Sequence, residues 1–159
     1  MEGGTYGWTI DQEAETEKLI KQIKKGRQVK REPEYAHYAK SRKKNDIGDT
    51  YVEVDLGSQH MWFYKDGETI VSTPVVTGNT SLGRGTPTGV YYILYKTTDY
   101  TLTGEGYASP VDYWLPFTHS GVGIHDSSWR SSYGGSIYTY DGSHGCVNTP
   151  YDAVRTIYN

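Results

Sequence analysis

The sequence contains a single cysteine, Cys146, among its 159 residues. One thiol cannot form a disulfide within the chain, so no disulfide framework holds the fold. A lone cysteine usually behaves as a small buried apolar residue, and it says nothing firm about the redox compartment.

Long apolar segments are also missing. No run approaches the roughly 20 apolar residues that a membrane-spanning helix needs. The segment after Met1 lacks the basic and apolar regions of a signal peptide. We therefore expect no transmembrane segment in this chain.

Large apolar residues other than Tyr and Trp are scarce. Leu, Ile, Val and Phe together make up about 18% of the chain, and phenylalanine occurs twice. Such a share indicates disorder only when the net charge is also high, and here it is −3. Sixteen tyrosines and four tryptophans supply buriable area and favour strands. The composition indicates a folded, mainly β domain whose core depends on aromatic side chains.

Charge is distributed unevenly along the chain. Residues 1–45 carry eleven Lys and Arg against seven acids, whereas residues 46–159 carry five against twelve. An acidic main segment without a basic stripe argues against a nucleic-acid partner, because phosphate neutralisation dominates that kind of binding. A cationic or zwitterionic substrate fits this segment better.

The first part, residues 1–45, is predicted to be a helix followed by a connector. Asp11 as an N-cap and a narrow apolar stripe predict one amphipathic helix that ends near Gly26; the stripe is Leu19, Ile20 and Ile23. Residues 27–45 are basic and polar, so we predict a connector with a solvated charged face. Attraction to anionic polymers is the weaker alternative.

The second part, residues 46–159, changes to a period of two from Tyr51 onward. Asp66-Gly67 predicts a hairpin turn between segments 59–65 and 69–76. Further strands are predicted at 90–95, 113–117 and 122–124, the last delivering His125 at a strand end. Residues 97–110 are predicted to be a loop, either a lid or a surface excursion. Thr149-Pro150 predicts the N-cap and first turn of a helix that turns Ala153, Val154 and Ile157 inward.

Two separate segments carry reactive side chains: Ser143-His144-Gly145-Cys146-Val147-Asn148, and upstream of it Gly123-Ile124-His125-Asp126. A cysteine attacks a carbonyl as the thiolate, whose free pKa is about 8.5, so it needs a base or a positive setting beside it. His125 is the candidate base. A helix start predicted three residues after Cys146 adds little, because the helix dipole fades within one turn.

A histidine followed 17 residues later by Ser-His-Gly-Cys-Val-Asn resembles the signature of the YkuD-type L,D-transpeptidases. The segment Gly85-Thr86-Pro87-Thr88-Gly89-Val90-Tyr91 is similar to a strand entry of that family. The resemblance covers about residues 50–158, and residues 6–11 look like the end of a domain that precedes the catalytic one in many Gram-positive members. It implies a mainly β, YkuD-like sandwich or barrel of mixed strands with a short helix after the catalytic cysteine. Family members usually continue to a closing strand, so we expect the catalytic domain 46–159 to be truncated.

The resemblance implies Cys146 as nucleophile and His125 as base, with the backbone carbonyl of Asp126 holding the imidazole. Because Gly145 lacks a Cβ, the N–H groups of Gly145 and Cys146 are expected to bind the tetrahedral oxyanion. A second interpretation gives Gly145 only a turn.

Other positions in these segments carry less specific expectations. Ser143 and His144 would shape the nucleophile loop, and a purely structural role is equally open for both. Asn148 is expected to orient the nucleophile loop and to belong to the substrate-binding residues. Trp129 and Tyr133 would line a substrate groove or pack the loop between His125 and Cys146.

The implied function is peptidoglycan L,D-transpeptidation. The donor would be a tetrapeptide stem attacked at its third residue with release of D-alanine, and an amine of a second stem would complete a 3→3 cross-link. Water as the acceptor would instead make an L,D-carboxypeptidase. We expect carbapenem-type β-lactams to acylate Cys146, and we expect no cofactor. The protein is expected outside the cell, in the cell wall or at the outer face of the membrane. Its signal or anchor is expected to lie outside this chain.

Two other classes remain open on the residues alone. His119, His125, His144 and Cys146 offer zinc ligands, although structural zinc sites usually show close-spaced pairs such as C-x2-C. A wall-binding module without turnover is the other class, but a pure binder has no need for a Cys146–His125 pair.

Overall fold

The computed structural model describes residues 3–104 and 106–159, in which strands dominate. A small sheet pairs β1 (Thr9–Ile10) with β2 (Tyr35–His37), and helix α1 (Gln12–Lys24) lies between them in sequence. An antiparallel sheet contains β3 (Tyr51–Asp55), β4 (His60–Lys65) and β5 (Glu68–Pro74). A 3-10 turn follows at Thr80–Leu82.

The largest sheet has the order β6-β7-β8-β9. Its strands are β6 (Thr97–Gly104), β7 (Tyr107–Pro116), β8 (Gly123–Asp126) and β9 (Val147–Thr149). The pairs β6–β7 and β7–β8 are antiparallel, whereas β8–β9 is parallel. Helix α2 (Ile137–Asp141) precedes β9, and α3 (Tyr151–Tyr158) follows it. The predicted mainly β fold of mixed strands, with a short helix after Cys146, is confirmed.

Helix α1 begins as the sequence predicts, because the Asp11 side chain accepts a hydrogen bond from the Ala14 N–H at 2.9 Å. Its apolar stripe stays exposed, and no described residue of α1 is buried. An ion pair links the helix to the segment that follows it, since Arg31 Nη1 lies 2.8 Å from the Glu15 carboxylate. The connector prediction was wrong at Tyr35–His37, which form β2 by pairing with β1.

The hairpin predicted at Asp66-Gly67 is confirmed. Asp66 has φ +53° and Gly67 has φ +84°, which is the pair of positive φ values of a type I′ turn. The flanking strands β4 and β5 place alternate residues in the core, among them Met61, Phe63 and Val71. Period two therefore set both the strands and their buried face.

Two strand and loop predictions were wrong. Residues 91–96 form no strand, and their hydrogen bond to β7 runs from the Leu94 N–H to the Pro116 carbonyl at 2.8 Å. Proline has no N–H to return a bond, so a regular ladder cannot form there. The predicted loop 97–110 is instead the β6–β7 hairpin, whose threonines and tyrosines suit strands.

Helix α3 covers the core with Val154, which is fully buried, and Ile157, as predicted. The N-cap prediction was wrong by one residue, because Pro150 is the cap. The Thr149 hydroxyl donates instead to the Val147 carbonyl at 3.1 Å. Strand β9 thus separates Cys146 from α3, so the N-cap lies four residues after Cys146 rather than three.

The segment that follows β5 joins the two larger sheets. Val76 forms an antiparallel bridge with Asn148, and Gly78 forms a parallel bridge with Ser143. These bridges place residues 75–79 on the free side of β9, directly beside the sequence motif that contains the cysteine.

Candidate active site

The parallel pair β8–β9 brings the two reactive segments together. Its register matches Ile124 with Val147 and His125 with Asn148. Ile124 and Val147 point into the core, so His125 and Asn148 lie on the opposite face. Cys146 precedes Val147 and continues the alternation onto the face of His125.

His125 is almost completely buried, at 2% exposure. Its Nδ1 lies 2.6 Å from the Asp126 carbonyl oxygen, as the sequence predicts. A carbonyl oxygen only accepts, so Nδ1 carries the proton and Nε2 keeps its lone pair. The rings of Trp114 and Trp129 flank the imidazole, with centroids 5.9 and 5.8 Å away. This tautomer is the one that a general base requires.

The Asp126 carboxylate has a different task from its carbonyl. Its Oδ1 accepts a hydrogen bond from the Tyr113 N–H at 2.8 Å, which fastens β8 to β7. The side chain therefore holds the strand that presents His125, while the carbonyl holds the ring.

The Cys146 thiol is half-buried, and its Sγ lies 3.7 Å from the Gly121 carbonyl oxygen. Burial raises the pKa of the Cys146 thiol, and a hydrogen bond with the Gly123 backbone offsets part of that rise. Burial also lowers the pKa of His125, partly countered by the Asp126 carbonyl and carboxylate. Burial thus favours the uncharged form of both groups.

Ser143 closes the nucleophile loop by bonding on both sides of Gly145. Its hydroxyl accepts from the Gly145 N–H at 3.0 Å and donates to the Cys146 carbonyl at 2.5 Å. The prediction that Gly145 offers its N–H to an oxyanion was wrong for this conformation, because that N–H is already used. Of the predicted pair of donors, the Cys146 N–H is the one that no described side chain engages.

Gly145 itself has φ +127°, a conformation that side chains with a Cβ rarely adopt. An added Cβ would also lie 3.3 Å from Val122 Cγ2. Backbone conformation therefore favours glycine here, which agrees with the turn interpretation.

His144 lies on the exposed side of the loop and stacks on Tyr107, with ring centroids 4.8 Å apart. Tyr107 is the first residue of β7, next to the tip of the β6–β7 hairpin. The start of β7 thus lies beside the loop that carries Cys146. Glu105, within residues 97–110, lies outside the described residues.

Asn148 is buried at 2% exposure, and its backbone exchanges two hydrogen bonds with Val76, of 2.8 and 3.0 Å. Its side-chain Oδ1 is buried and has no partner among the described residues. A buried acceptor without a donor is costly, by about 1–3 kcal/mol.

The two aromatic candidates between His125 and Cys146 differ in their surroundings. Trp129 is 50% exposed and borders an open cleft of about 220 Å³, whose other lining residues are Arg130, Ser131, Ser132, Ile137, Tyr140 and Asp141. The Tyr133 hydroxyl instead lies 2.9 Å from Ser127 Oγ and donates to the Ser127 carbonyl at 3.2 Å. Trp129 therefore faces a groove, and Tyr133 packs the loop.

Sequence reasoning missed two neighbours of these residues. Trp114 is opposite His125 in the β7–β8 register, and its buried Nε1 has no partner among the described residues. Thr86 belongs to the Gly-Thr-Pro-Thr-Gly motif, and its hydroxyl reaches the Gly145 carbonyl at 2.6 Å. The motif signalled the segment, but nothing in its spacing signalled that contact.

Across residues 3–104 and 106–159, no group of three or more His, Cys, Asp or Glu side chains lies close enough to hold a metal ion. Over the same residues, no helix has both the length and the apolar character needed to cross a bilayer.

The YkuD family model, described as the L,D-transpeptidase catalytic domain, matches residues 49–159. A crystal structure of a cysteine-to-serine mutant of Enterococcus faecium L,D-transpeptidase is 43% identical, with a TM-score of 0.76. The match covers 98% of the present chain and 62% of the E. faecium chain, so the present chain spans less than two thirds of that protein. No curated protein matches the chain.

Two further solved structures extend the comparison. The NMR structure of the E. faecium catalytic domain acylated by ertapenem is 47% identical, has a TM-score of 0.63, and covers 70% of this chain and 88% of that one. An L,D-transpeptidase from Mycobacterium smegmatis, at 23% identity and a TM-score of 0.58, covers 69% of this chain and 53% of that one. This last likeness bears on the fold alone.

Proposed function

The chain belongs to the YkuD family of L,D-transpeptidase catalytic domains, and from that membership we propose that it cross-links peptidoglycan through an acyl-enzyme on Cys146. The observation that carries the proposal is the parallel pairing of β8 with β9, which sets His125 opposite Asn148, two residues from Cys146, while the Asp126 carbonyl holds Nδ1 of the His125 ring. Trp129, whose ring centroid lies 5.8 Å from that of His125, borders an open cleft.

The acylation half-reaction starts from two neutral groups. His125 Nε2 accepts the proton from Cys146 Sγ as the sulfur attacks the carbonyl carbon of the third stem residue. The new C–S bond gives a tetrahedral oxyanion, which the Cys146 N–H stabilises. Collapse breaks the C–N bond, and the imidazolium returns its proton to the leaving amine, so D-alanine departs and a thioester remains.

The second half-reaction uses the same groups in reverse. The side-chain amine of the third residue of another stem attacks the thioester, and His125 takes one of its protons. The C–S bond breaks, the thiolate recovers that proton, and a 3→3 peptide cross-link is released. The exchange of one amine for another gives ping-pong kinetics.

Two substrate contacts are proposed. Asn148 Oδ1, a buried acceptor without a donor among the described residues, would receive an N–H of the stem peptide. Trp129 would form one wall of the groove that receives a stem. The acidic surface of residues 46–159 suits stems that bring a free amine.

Location follows from the proposed substrate. Peptidoglycan stems lie outside the cytoplasmic membrane, so the protein would act in the cell wall or at the outer face of that membrane. Residues 1–45 would be the end of a preceding domain, and the region 46–159 would be the catalytic domain. Carbapenem-type β-lactams would acylate Cys146, as ertapenem does in the E. faecium domain.

The test is the intact mass of the protein after exposure to a disaccharide-tetrapeptide donor. We expect a mass gain equal to the donor minus D-alanine, and no gain in Cys146→Ala. Adding a second stem separates the outcomes, because a dimeric muropeptide reports transpeptidation and a tripeptide reports the carboxypeptidase alternative. A folded wild-type protein that gains no mass from either the donor or a carbapenem would refute the proposal.

A further inference from the structure

Thr86 contacts the nucleophile loop from 59 residues upstream. Its hydroxyl donates to the Gly145 carbonyl at 2.6 Å and accepts from the Gly78 N–H at 2.9 Å. A hydroxyl is the only part of threonine that can do both at once. The contact is close because Gly78 has no side chain, since a Cβ there would lie 2.9 Å from the Gly145 Cα.

The bonded carbonyl belongs to a particular peptide unit. The C=O of Gly145 and the N–H of Cys146 share one planar trans peptide, so they point in opposite directions. Fixing the oxygen therefore fixes the direction of the Cys146 N–H, which is the donor left for the oxyanion.

The neighbouring peptide units have a different anchor. Ser143 bonds the N–H of the unit before and the carbonyl of the unit after, through Gly145 N and Cys146 O. The central unit is left to Thr86. A glycine at φ +127° supplies little resistance to rotation of that unit, because glycine lacks the Cβ that restricts other residues.

We propose that Thr86 is a positioning residue, whose hydroxyl aims the Cys146 N–H at the oxyanion of the tetrahedral intermediate. The inference rests on the proposed function, since it assumes that Cys146 is acylated. It differs from a structural role for Thr86 in one respect: only reactions that pass through an oxyanion should depend on the hydroxyl.

Two reagents separate these roles on the same sulfur. A carbapenem acylates the cysteine through a tetrahedral oxyanion, whereas iodoacetamide alkylates it by displacement of iodide, with no oxyanion. Both rates can be followed by intact mass on one protein sample. The ratio of acylation rate to alkylation rate then reports the oxyanion donor, independently of thiol exposure or ionisation.

Thr86→Val removes the hydroxyl at nearly constant volume. Loss of one oxyanion donor typically costs about 100- to 1000-fold, and a misaimed donor keeps part of its effect, so we expect the ratio to fall about 10- to 100-fold. Thr86→Ser keeps the hydroxyl and should stay within about threefold of wild type by the same reasoning. Thr88→Val is the matched control, because Thr88 is exposed two residues away and its hydroxyl makes no hydrogen bond among the described residues.

Several outcomes overturn the inference. These are an unchanged ratio in Thr86→Val, a parallel fall of both rates, and an equal fall in Thr88→Val. Thr86→Ala serves as the second variant if the valine protein does not fold, and failure of both to fold would assign the hydroxyl to folding alone. If wild-type protein is not acylated, the proposed function fails first, and that result is distinct from all of these.

Discussion

The two faces of the β8–β9 pair are made from adjacent residues but have opposite character. One face contributes Ile124 and Val147, exposed by 3% and 1%, to the hydrophobic core. The other carries His125, Asn148 and Cys146. Because a one-residue slip would exchange the faces, burial of the apolar side fixes the register in which the reactive groups meet. Core packing and chemistry are thus set by one pairing, and substitutions on each face separate them.

Loss of the thiol on the reactive face should have the largest effect. We expect Cys146→Ala to abolish acylation by a carbapenem and by a tetrapeptide donor, since no other nucleophile of this kind exists in the chain. Intact mass measures the adduct, and circular dichroism checks that the fold is kept. An adduct that persists in this variant would place the nucleophile elsewhere.

His125→Ala should lower the acylation rate by about 100- to 10,000-fold, because general-base assistance is typically worth that much. The rate is measured by intact mass under single-turnover conditions. His125→Gln, which keeps more of the buried volume, is the matched variant and should fall by a similar factor. A rate near that of wild type in either would remove the base from the mechanism.

Ile124→Ala tests the other face. Removing a buried aliphatic group typically costs about 2–5 kcal/mol of unfolding free energy, which urea denaturation measures. Provided that the protein remains folded, acylation should stay within a few-fold of wild type, because the reactive side chains lie opposite. A selective loss of acylation without loss of stability would contradict the separation of the faces.

Protonation of the resting thiol gives a smaller effect. Burial raises the pKa of Cys146, so alkylation by iodoacetamide at pH 7 should be slower than that of free cysteine. The rate should rise with pH and titrate above the ordinary value of about 8.5. A rate that is already maximal at pH 6 would instead indicate a thiolate–imidazolium pair at rest.

The smallest effect concerns stability. Burial lowers the pKa of His125 in the folded protein, so on acidification the unfolded chain takes up a proton that the folded chain excludes. The contribution is present above the unfolded pKa of about 6.5 and is lost as pH falls below it. Denaturation midpoints between pH 7.5 and 5.5 should drop more in wild type than in His125→Gln. Equal slopes would contradict this linkage.

Local signals in the sequence were sufficient for the elements that depend on local physics. Asp11 capped α1, Asp66-Gly67 formed the predicted turn, and the segment predicted at 59–65 contains β4. The His125 and Cys146 motifs also indicated the family. Each of these features is encoded within a few consecutive residues.

The features that sequence reasoning missed depend on long-range pairing. Residues 90–95 lie beside Pro116 in the fold. A local sequence pattern cannot reveal that proximity. Two hydrogen bonds form only once the chain is folded. The Gly145 N–H donates to the Ser143 hydroxyl, and the Thr86 hydroxyl donates to the Gly145 carbonyl. The exposed stripe of α1 shows the same limit, because periodicity predicts an apolar face but not what covers it.

The neutral state of the half-buried thiol has a consequence for durability. Peroxide and disulfide exchange both act on the ionised sulfur, so a sulfhydryl that holds its proton resists oxidation to sulfenic acid and mixed-disulfide formation. Under the proposed mechanism, reactivity arises only when an electrophile and the imidazole engage the sulfur together, so the free sulfhydryl would be protected from oxidation between catalytic cycles.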